Sequence, residues 1–219
     1  MCLYIFFLIL FGRKGKYMKL ILETLPTFFV EEDKILTILF EEGLDILHLR
    51  KSEMLSIYSE RLLTLIPNKY HKRIVIHDHF YLKDDFNLMG IHLNHCNSVK
   101  PQDYLGHVSC TCFSKEQVKN EKNSYDYVFL NPVYDSISQK GVRALYTSEQ
   151  LRAAATEKII DNKVMAMGGI CLDNITEIRD FGFGGIVLHG DLWNKFDICR
   201  GKDYSRLIEY FKLIKKATD

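Results

Sequence analysis

From Met18 onward, short apolar runs alternate with longer stretches in which apolar residues recur at helical spacing. The runs are almost continuously apolar, which is typical of strands covered by helices on both faces of a sheet. Nearly every run is followed by a helical stretch, and this alternation predicts a parallel sheet. Eight runs predict strands: Leu20 to Leu22, Ile46 to Arg50, Ile74 to Ile76, Gly90 to Leu93, His107 to Thr111, Tyr127 to Leu130, Val164 to Met167 and Gly185 to His189.

The number of these units indicates how the sheet is arranged. Eight similar units in roughly 200 residues favour a closed (β/α)8 barrel, and an open doubly wound sheet is the alternative. No linker, low-complexity segment or break in composition divides the 219-residue chain. The sequence therefore predicts one α/β domain, a TIM barrel of residues 18–219.

Residues 1–17 have a different character. The apolar run CLYIFFLILF is followed by Arg13, Lys14 and Lys16. The run is shorter than the about 20 apolar residues that span a bilayer. Its charges follow the apolar stretch, whereas a secretory signal places them before it. The favoured interpretation is an extension from a misassigned start upstream of Met18, and a membrane tether is the alternative.

Composition and charge limit the partners of the domain. The formal net charge is +1, so no overall field attracts nucleic acid or an anionic membrane. The six cysteines lack the C-x-x-C spacing of zinc sites and disulfide frameworks, which predicts free thiols in a reducing cytoplasm. We therefore expect a cytoplasmic protein with small-molecule ligands, for which a homo-oligomer remains open.

The barrel fold predicts that the chemistry takes place at the C-terminal ends of the strands. Gly168-Gly169 follows strand seven and His189-Gly190 follows strand eight, the usual phosphate corner of such barrels. Glycine allows backbone N–H groups to approach phosphate oxygens closely. We expect Gly169, His189 and Gly190 to bind a phosphate, and tight turns without a ligand are the alternative.

Charged side chains follow two other strands. Arg50 ends strand two, and its guanidinium suits a phosphate or diphosphate, although an ion pair with Asp78 would also explain it. Asp78 ends strand three and could hold a Mg²⁺ ion that bridges a diphosphate, or orient a histidine. Asn97, just after strand four, could be a weak metal ligand or hydrogen-bond a substrate.

A long polar loop follows strand six, from Asn131 to Ala144. It carries Ser136, Ser138 and Lys140, whose hydroxyl and ammonium groups suit a phosphate lid. Surface loops are polar in any case, so an ordinary loop is the alternative.

Seven segments at these strand ends carry a family resemblance: LHLRK (47–51), IHDHFYL (76–82), GIHLNH (90–95), HVSCTCFS (107–114), DYVFLNPVYDSISQKG (126–141), AMGGI (166–170) and GIVLHGDLW (185–193). In this order they resemble the thiamine phosphate synthase family and its close relative, the thiazole tautomerases. The resemblance implies a transferase of thiamine biosynthesis. Such an enzyme joins an aminopyrimidine diphosphate to a thiazole phosphate with release of diphosphate, using Mg²⁺.

The resemblance also implies roles for single residues at the diphosphate end. Arg50 matches the diphosphate-binding arginine and Asp78 a magnesium ligand, with Asn97 aligned to the family's second magnesium aspartate. Ser109 matches a serine near the reacting groups.

At the other end, Ser136 and Ser138 stand where the family has two threonines around the thiazole phosphate. Gly169 and Gly190 match its backbone contacts to that phosphate.

The chain departs from the family pattern mainly at the diphosphate end. The glutamine and the lysine around the family's arginine are His48 and Ser52 here, and its asparagine before the aspartate is His77. Asn97 replaces a carboxylate, and the loop lysine is displaced by one residue to Lys140. Without this lysine and this carboxylate, we expect weaker binding of diphosphate and of the metal ion.

Three hypotheses therefore remain open, with the synthase first. His48 is tautomerase-like and, with His77, could provide the acid and base of a metal-free isomerase. The segment from Asn131 to Tyr134 is instead synthase-like. The third hypothesis is a non-catalytic barrel that binds thiazole phosphate or thiamine phosphate. The candidate catalytic residues are His48, Arg50, His77 and Ser109.

Overall fold

The computed structural model describes residues 17–138, 141–197 and 203–219. Its strands are β1 (Lys19–Glu23), β2 (Ile46–Leu49), β3 (Ile74–Ile76), β4 (Gly90–Leu93), β5 (His107–Cys112), β6 (Tyr127–Leu130), β7 (Val164–Met167) and β8 (Gly185–Leu188). They are all parallel and follow one another around a closed barrel in chain order. The prediction of a (β/α)8 barrel is confirmed. The open sheet is excluded because β1 pairs with β8, with Lys19 opposite Gly185.

Helices cover the outside of the barrel. They are α1 (Glu32–Glu41), α2 (Ser56–Leu65), α3 (Leu82–Asp85), α4 (Lys115–Glu121), α5 (Ser148–Thr156), α6 (Ile175–Asp180), α7 (Gly190–Trp193) and α8 (Ser205–Thr218), with 3-10 turns at Asn68–Arg73, Lys122–Ser124 and Leu172–Asn174. The connection from β4 to β5 contains turns and no helix. The expectation that nearly every strand is followed by a helix is therefore confirmed, with β4 as the exception.

Side-chain caps stabilise the N-termini of two of these helices. The Ser114 hydroxyl accepts a hydrogen bond from the Gln117 N–H and so caps the start of α4. Thr147 and Gln150 form a reciprocal capping box at the start of α5. Both caps satisfy N–H groups that would otherwise lack a partner in the first turn.

The alternating side chains of the strands divide the core into two parts. Outward-facing residues such as Leu47 and Leu49 pack with the apolar faces of the helices. Inward-facing apolar residues form a separate cluster of Ile21, Ile46, Val75, Tyr127, Phe129, Met165 and Val187. The interior also contains buried polar side chains, and these lead to the candidate site.

None of the described helices is long and apolar enough to cross a membrane. The predicted N-terminal extension, residues 1–17, lies outside the described residues except for Tyr17. Both interpretations of that extension stay predictions.

Candidate functional site

A pocket of about 140 Å³ opens at the C-terminal end of the barrel. Among the residues that line it are Glu23, Arg50, Asn131, Ser136, Ser138, Met167, Gly168, Gly169, His189 and Gly190. The structure thus brings the predicted arginine together with the predicted phosphate corner. Lys140, the remaining predicted phosphate ligand, lies outside the described residues.

Two glycines allow the loop after β6 to lie against the ends of β7 and β8. Gly169 has a φ of +66°, and a Cβ built there would lie 2.4 Å from the carbonyl oxygen of Asp135. A Cβ on Gly190 would lie 2.7 Å from the Cβ of Ser138. Any larger residue at either position would push the loop, and its serine hydroxyls, away from the pocket.

Backbone hydrogen bonds fix the first half of that loop. The Val133 N–H donates to the Met167 carbonyl at 2.8 Å, and the Tyr134 N–H donates to the Gly168 carbonyl at 3.0 Å. The Ser136 N–H donates to the Val142 carbonyl at 2.9 Å. The segment that carries the two serines is therefore held against β7 over the pocket.

Arg50, which also lines the pocket, is paired with a carboxylate. Its Nη1 lies 3.1 Å from Oε1 of Glu23, the last residue of β1. Burial raises the pKa of the Glu23 carboxyl, while the guanidinium opposes that rise. The sequence pointed to Asp78 as the ion-pair partner that would explain Arg50, and the ion pair in the structure is with Glu23. The guanidinium remains partly exposed and keeps further N–H groups for an anion.

Asp78 and Asn97 lie side by side, as expected for residues at the ends of neighbouring strands. Oδ2 of Asp78 accepts a hydrogen bond from the Lys51 backbone N–H at 3.2 Å, and Oδ1 accepts one from Nδ2 of Asn97 at 3.0 Å. Nδ2 of Asn97 also donates to the His77 carbonyl at 3.0 Å. Because both partners are acceptors, the amide nitrogen of Asn97 faces Asp78. Asn97 therefore orients the carboxylate in this arrangement.

Lys51, next to Arg50, is not available to the pocket. Its ammonium lies 2.7 Å from the carboxylate of Glu32, and both side chains are fully buried. It also donates to the carbonyls of Leu25 and Thr27, each at 2.9 Å. This buried pair ties the end of β2 to the start of α1, which holds the residues on either side of Lys51 in place.

The barrel interior next to the pocket contains a buried chain of hydrogen bonds. Nδ1 of His48 lies 2.8 Å from Nε2 of His77, and Nε2 of His48 lies 2.7 Å from the Tyr127 hydroxyl. His48 is fully buried and His77 almost so. Burial, reinforced by neighbouring histidines, lowers the pKa of both imidazoles well below the usual value, so both are neutral at pH 7.

His92 forms a second buried group beside this chain. Its Nδ1 lies 2.8 Å from the Ser109 hydroxyl and its Nε2 lies 2.8 Å from the Thr111 hydroxyl. Its ring stacks on His77, with centroids 4.3 Å apart and planes 18° apart. Burial lowers the pKa of His92 to about 3. Ser109 is thus fully buried and engaged with a histidine.

The candidate catalytic residues accordingly separate into two places. Arg50 lines the pocket, whereas His48, His77 and Ser109 are buried in the interior and are not among the residues that line it. His189 lines the pocket, and burial lowers its pKa to about 4, so its imidazole is neutral at pH 7.

Nitrogens of His48, His77 and His92 all lie within 4.8 Å of one another, which raises the question of a shared metal ion. A metal binds an imidazole nitrogen near the plane of its ring. The nearly parallel, stacked rings of His77 and His92 keep these planes apart. The three histidines therefore form a packed cluster in which His48 hydrogen-bonds His77 and His92 stacks on His77. A hard cation such as Mg²⁺ prefers carboxylate oxygens in any case.

Sequence reasoning missed Glu23, His92 and Tyr127. Each is a polar residue in a strand or at its end, within an otherwise apolar run. That interruption was the available signal, because a polar side chain in a buried run needs a hydrogen-bond partner. His92 is such a partner of the candidate Ser109.

Comparison with known proteins agrees with this geometry. Residues 31–192 match the family described as thiamine monophosphate synthase. The crystal structure of a thiamine phosphate pyrophosphorylase from Bacteroides thetaiotaomicron is 64% identical, covers 91% of this chain and 97% of its own, and superimposes with a TM-score of 0.85. The thiamine-phosphate synthase of Halalkalibacterium halodurans is 26% identical over 180 residues, which cover 76% of this chain and 84% of the relative.

A more distant solved structure supports the fold alone. The thiamine phosphate pyrophosphorylase from Pyrococcus furiosus is 16% identical and superimposes with a TM-score of 0.67 over 93% of this chain. The family match itself extends from α1 to α7 and includes all the pocket-lining residues named above except Glu23. The chain therefore belongs to the thiamine monophosphate synthase family.

Proposed function

We propose that this protein is a thiamine-phosphate synthase. It transfers an aminopyrimidine-methyl group from its diphosphate ester to the ring nitrogen of a thiazole phosphate, and diphosphate leaves. The observation that carries the proposal is one pocket lined by Arg50 together with Gly169, Gly190 and the serines of the β6 loop. Such a pocket offers one anion site to each of the two substrates.

The thiazole phosphate belongs at the glycine corner. Gly169 and Gly190 line the pocket, where the backbone N–H groups of glycine can approach a phosphate closely, and Ser136 and Ser138 lie in the same pocket. His189, neutral at pH 7, can donate one ring N–H to a phosphate oxygen. These contacts would place the thiazole nitrogen toward the centre of the pocket.

The diphosphate belongs at Arg50. The C–O bond to the diphosphate breaks with both electrons on oxygen, and the thiazole nitrogen forms the new C–N bond to the resulting cation. Arg50 would stabilise the charge that grows on the leaving group. Glu23 pairs with the guanidinium, so the arginine is oriented before substrate arrives.

The residues present fit a Mg²⁺ ion held mainly by Asp78. Mg²⁺ is usually bound by one or two carboxylates together with substrate phosphates and water. Asp78 accepts two hydrogen bonds out of roughly four that its oxygens can accept, so lone pairs remain. When bound, Mg²⁺ would neutralise charge on the diphosphate. Asn97 contributes no carboxylate, so we expect weaker metal binding than two carboxylates would give.

The isomerase alternative receives less support from the geometry. It needs a histidine nitrogen that can reach a substrate proton, but both ring nitrogens of His48 are engaged by His77 and Tyr127. His77 has a free Nδ1, yet this atom is buried in the interior. We assign these histidines to the support of the pocket.

The free thiols Cys96, Cys110, Cys112 and Cys171 fit a cytoplasmic location, because disulfides are rare in a reducing compartment.

A synthase assay separates the three hypotheses. The purified protein receives both substrates with and without Mg²⁺, and thiamine phosphate is quantified by chromatography. We expect product with Mg²⁺, and we expect Arg50→Ala to abolish most of it. Proton exchange on thiazole phosphate without Mg²⁺, followed by NMR, would instead indicate the isomerase. Binding of thiazole phosphate by calorimetry without turnover under saturating substrates would indicate the non-catalytic binder.

A further inference from the structure

β5 presents two thiols to the helical layer of the barrel. Ser109 and Thr111 face inward and contact His92, so the alternate residues Cys110 and Cys112 face outward. Both cysteines are buried and free, and their sulfur atoms lie 4.0 Å apart. The pair is therefore separate from the pocket and from the histidine cluster.

Glu121 completes a three-donor cluster with these thiols. It is the last residue of α4, and one of its carboxylate oxygens lies within 4.8 Å of both sulfur atoms. Glu121 is partly exposed, so solvent can reach the cluster through its carboxylate. Tyr125 lies beside Cys110 and offers its hydroxyl as a fourth polar group.

The spacing of the two sulfurs suits a metal better than a disulfide. Successive same-side residues on a strand are roughly 6.6 Å apart, whereas a disulfide needs its Cβ atoms roughly 3.5–4.5 Å apart. Zinc–sulfur bonds of about 2.3 Å in tetrahedral geometry separate two sulfurs by roughly 3.8 Å. The observed 4.0 Å is close to that value. A metal could thus enter with little movement of β5.

We propose that Cys110, Cys112 and Glu121 bind a soft divalent cation of the zinc class. On binding, the two thiols lose their protons to solvent and both sulfurs ligate as thiolates, while the Glu121 carboxylate provides the third ligand. The Tyr125 hydroxyl or a water molecule takes the fourth position. The bound cation would tie α4 to β5, on the outside of the barrel, and would leave the proposed synthase pocket unchanged.

Cobalt(II) is the probe for the test, because thiolate ligation produces a charge-transfer band in the near ultraviolet. The full chain is used in a background in which Cys2, Cys96 and Cys199 are serine, so that other thiols do not contribute. Titration should give the band at a stoichiometry of one, and zinc should remove it by competition. Cys110→Ser and Cys112→Ser should each lose most of the band. Glu121→Gln should weaken cobalt binding by about tenfold or more, the scale reached when even an outer partner of a metal site is lost.

Cys171→Ser is the matched control, because Cys171 is also a partly buried free thiol but lies outside the cluster. It should leave the titration unchanged. The proposal is overturned if folded protein gives no band, or if Cys171→Ser reduces the band as much as Cys110→Ser does. Should the buried serine variants fail to fold, the partly exposed Glu121→Gln decides: cobalt affinity equal to that of the parent protein would refute the cluster.

Discussion

The guanidinium of Arg50 lies 3.1 Å from the carboxylate of Glu23, and both residues line the pocket at the C-terminal end of the barrel. The Glu23 side chain is 4% exposed and that of Arg50 is 36% exposed. Arg50, the positive member of the pair, is therefore the more accessible of the two. The negative charge of Glu23 offsets part of the attraction between the guanidinium and an anion that enters the pocket. Glu23 therefore orients Arg50 and at the same time limits its affinity for a ligand.

Two substitutions should move the affinity for diphosphate in opposite directions. Glu23→Gln keeps an acceptor for Arg50 but removes the competing charge, so inorganic diphosphate should bind about three- to tenfold more tightly. Arg50→Ala removes the charged donor and should weaken binding by about 10- to 100-fold. Isothermal calorimetry with the two variants checks both. Weaker binding by Glu23→Gln would mean that orientation by the ionised carboxylate outweighs the competition.

The relation between Arg50 and Glu23 illustrates what the sequence could and could not predict. The eight strands, the barrel and Arg50 at a strand end followed from apolar runs and their spacing, because period and strand order are local properties. The partner of Arg50 did not follow, since Glu23 and Asp78 both end strands that neighbour β2. Only the directions of the side chains decide between them.

The interior cluster shows the same limit. His48 and His77 were candidates because they lie at or next to the ends of predicted strands and could act as acid and base, which indicated polar chemistry but not depth in the barrel. Their burial depends on the register of β2 with β3 and on the Tyr127 hydroxyl that β6 contributes. Neither is visible in a single sequence.

The glycine corner should tolerate no side chain at Gly169. Gly169→Ala combines a positive φ with a Cβ that would lie 2.4 Å from the Asp135 carbonyl oxygen. The β6 loop should shift, and KM for thiazole phosphate should rise by about tenfold or more, as expected when a charged ligand loses a hydrogen bond. Gly182→Ala is the matched control, because Gly182 has a φ of +83° but open space around its Cβ.

The control shares the backbone strain without the clash. Gly182→Ala should lower the free energy of unfolding by about 1 kcal/mol and leave KM unchanged. Steady-state kinetics and urea unfolding on both variants separate the two effects. An equal rise of KM in the two variants would show that backbone strain, rather than the close approach of the β6 loop, explains the weaker binding of thiazole phosphate.

His92 should make the fold sensitive to mild acid. Its pKa is lowered from 6.5 to about 3 by burial, so below pH 6.5 the unfolded chain binds a proton that the folded protein does not. Stability from this group is complete above pH 6.5 and falls as the pH drops toward 3, because the unfolded state binds more protons over that range. Between pH 7 and pH 5 the loss from His92 alone should be about 2 kcal/mol.

His92→Gln tests this prediction, because glutamine can hydrogen-bond the hydroxyls of Ser109 and Thr111 but does not titrate. Urea unfolding at pH 7 and pH 5 gives the free energy of unfolding of both proteins. The variant should lose less stability than the parent between the two pH values, by about the 2 kcal/mol assigned to His92. Parallel pH dependences would show that His92 does not contribute.

Asn97→Asp should strengthen the metal site at the diphosphate end. Nδ2 of Asn97 now donates to Asp78 and to the His77 carbonyl, and an aspartate would replace that donor with a second carboxylate beside the first. Without a cation, the two charges repel and the melting temperature should fall. Mg²⁺ binds well between two carboxylates, so it should raise the melting temperature of the variant more than that of the parent. The Mg²⁺ concentration for half-maximal synthase activity should drop by about tenfold, if the added ligand is worth roughly 1.4 kcal/mol.

Asn94→Asp is the control for added charge alone. Its Oδ1 accepts the N–H groups of Cys96 and Asn97, and an aspartate oxygen can keep both bonds without facing Asp78. This variant should show the Mg²⁺ response of the parent in both thermal unfolding and activity. If Asn94→Asp and Asn97→Asp respond alike, the effect is general electrostatic attraction and Asp78 is not the centre of a metal site. If only Asn97→Asp responds, Asp78 and position 97 together determine how tightly this synthase holds magnesium.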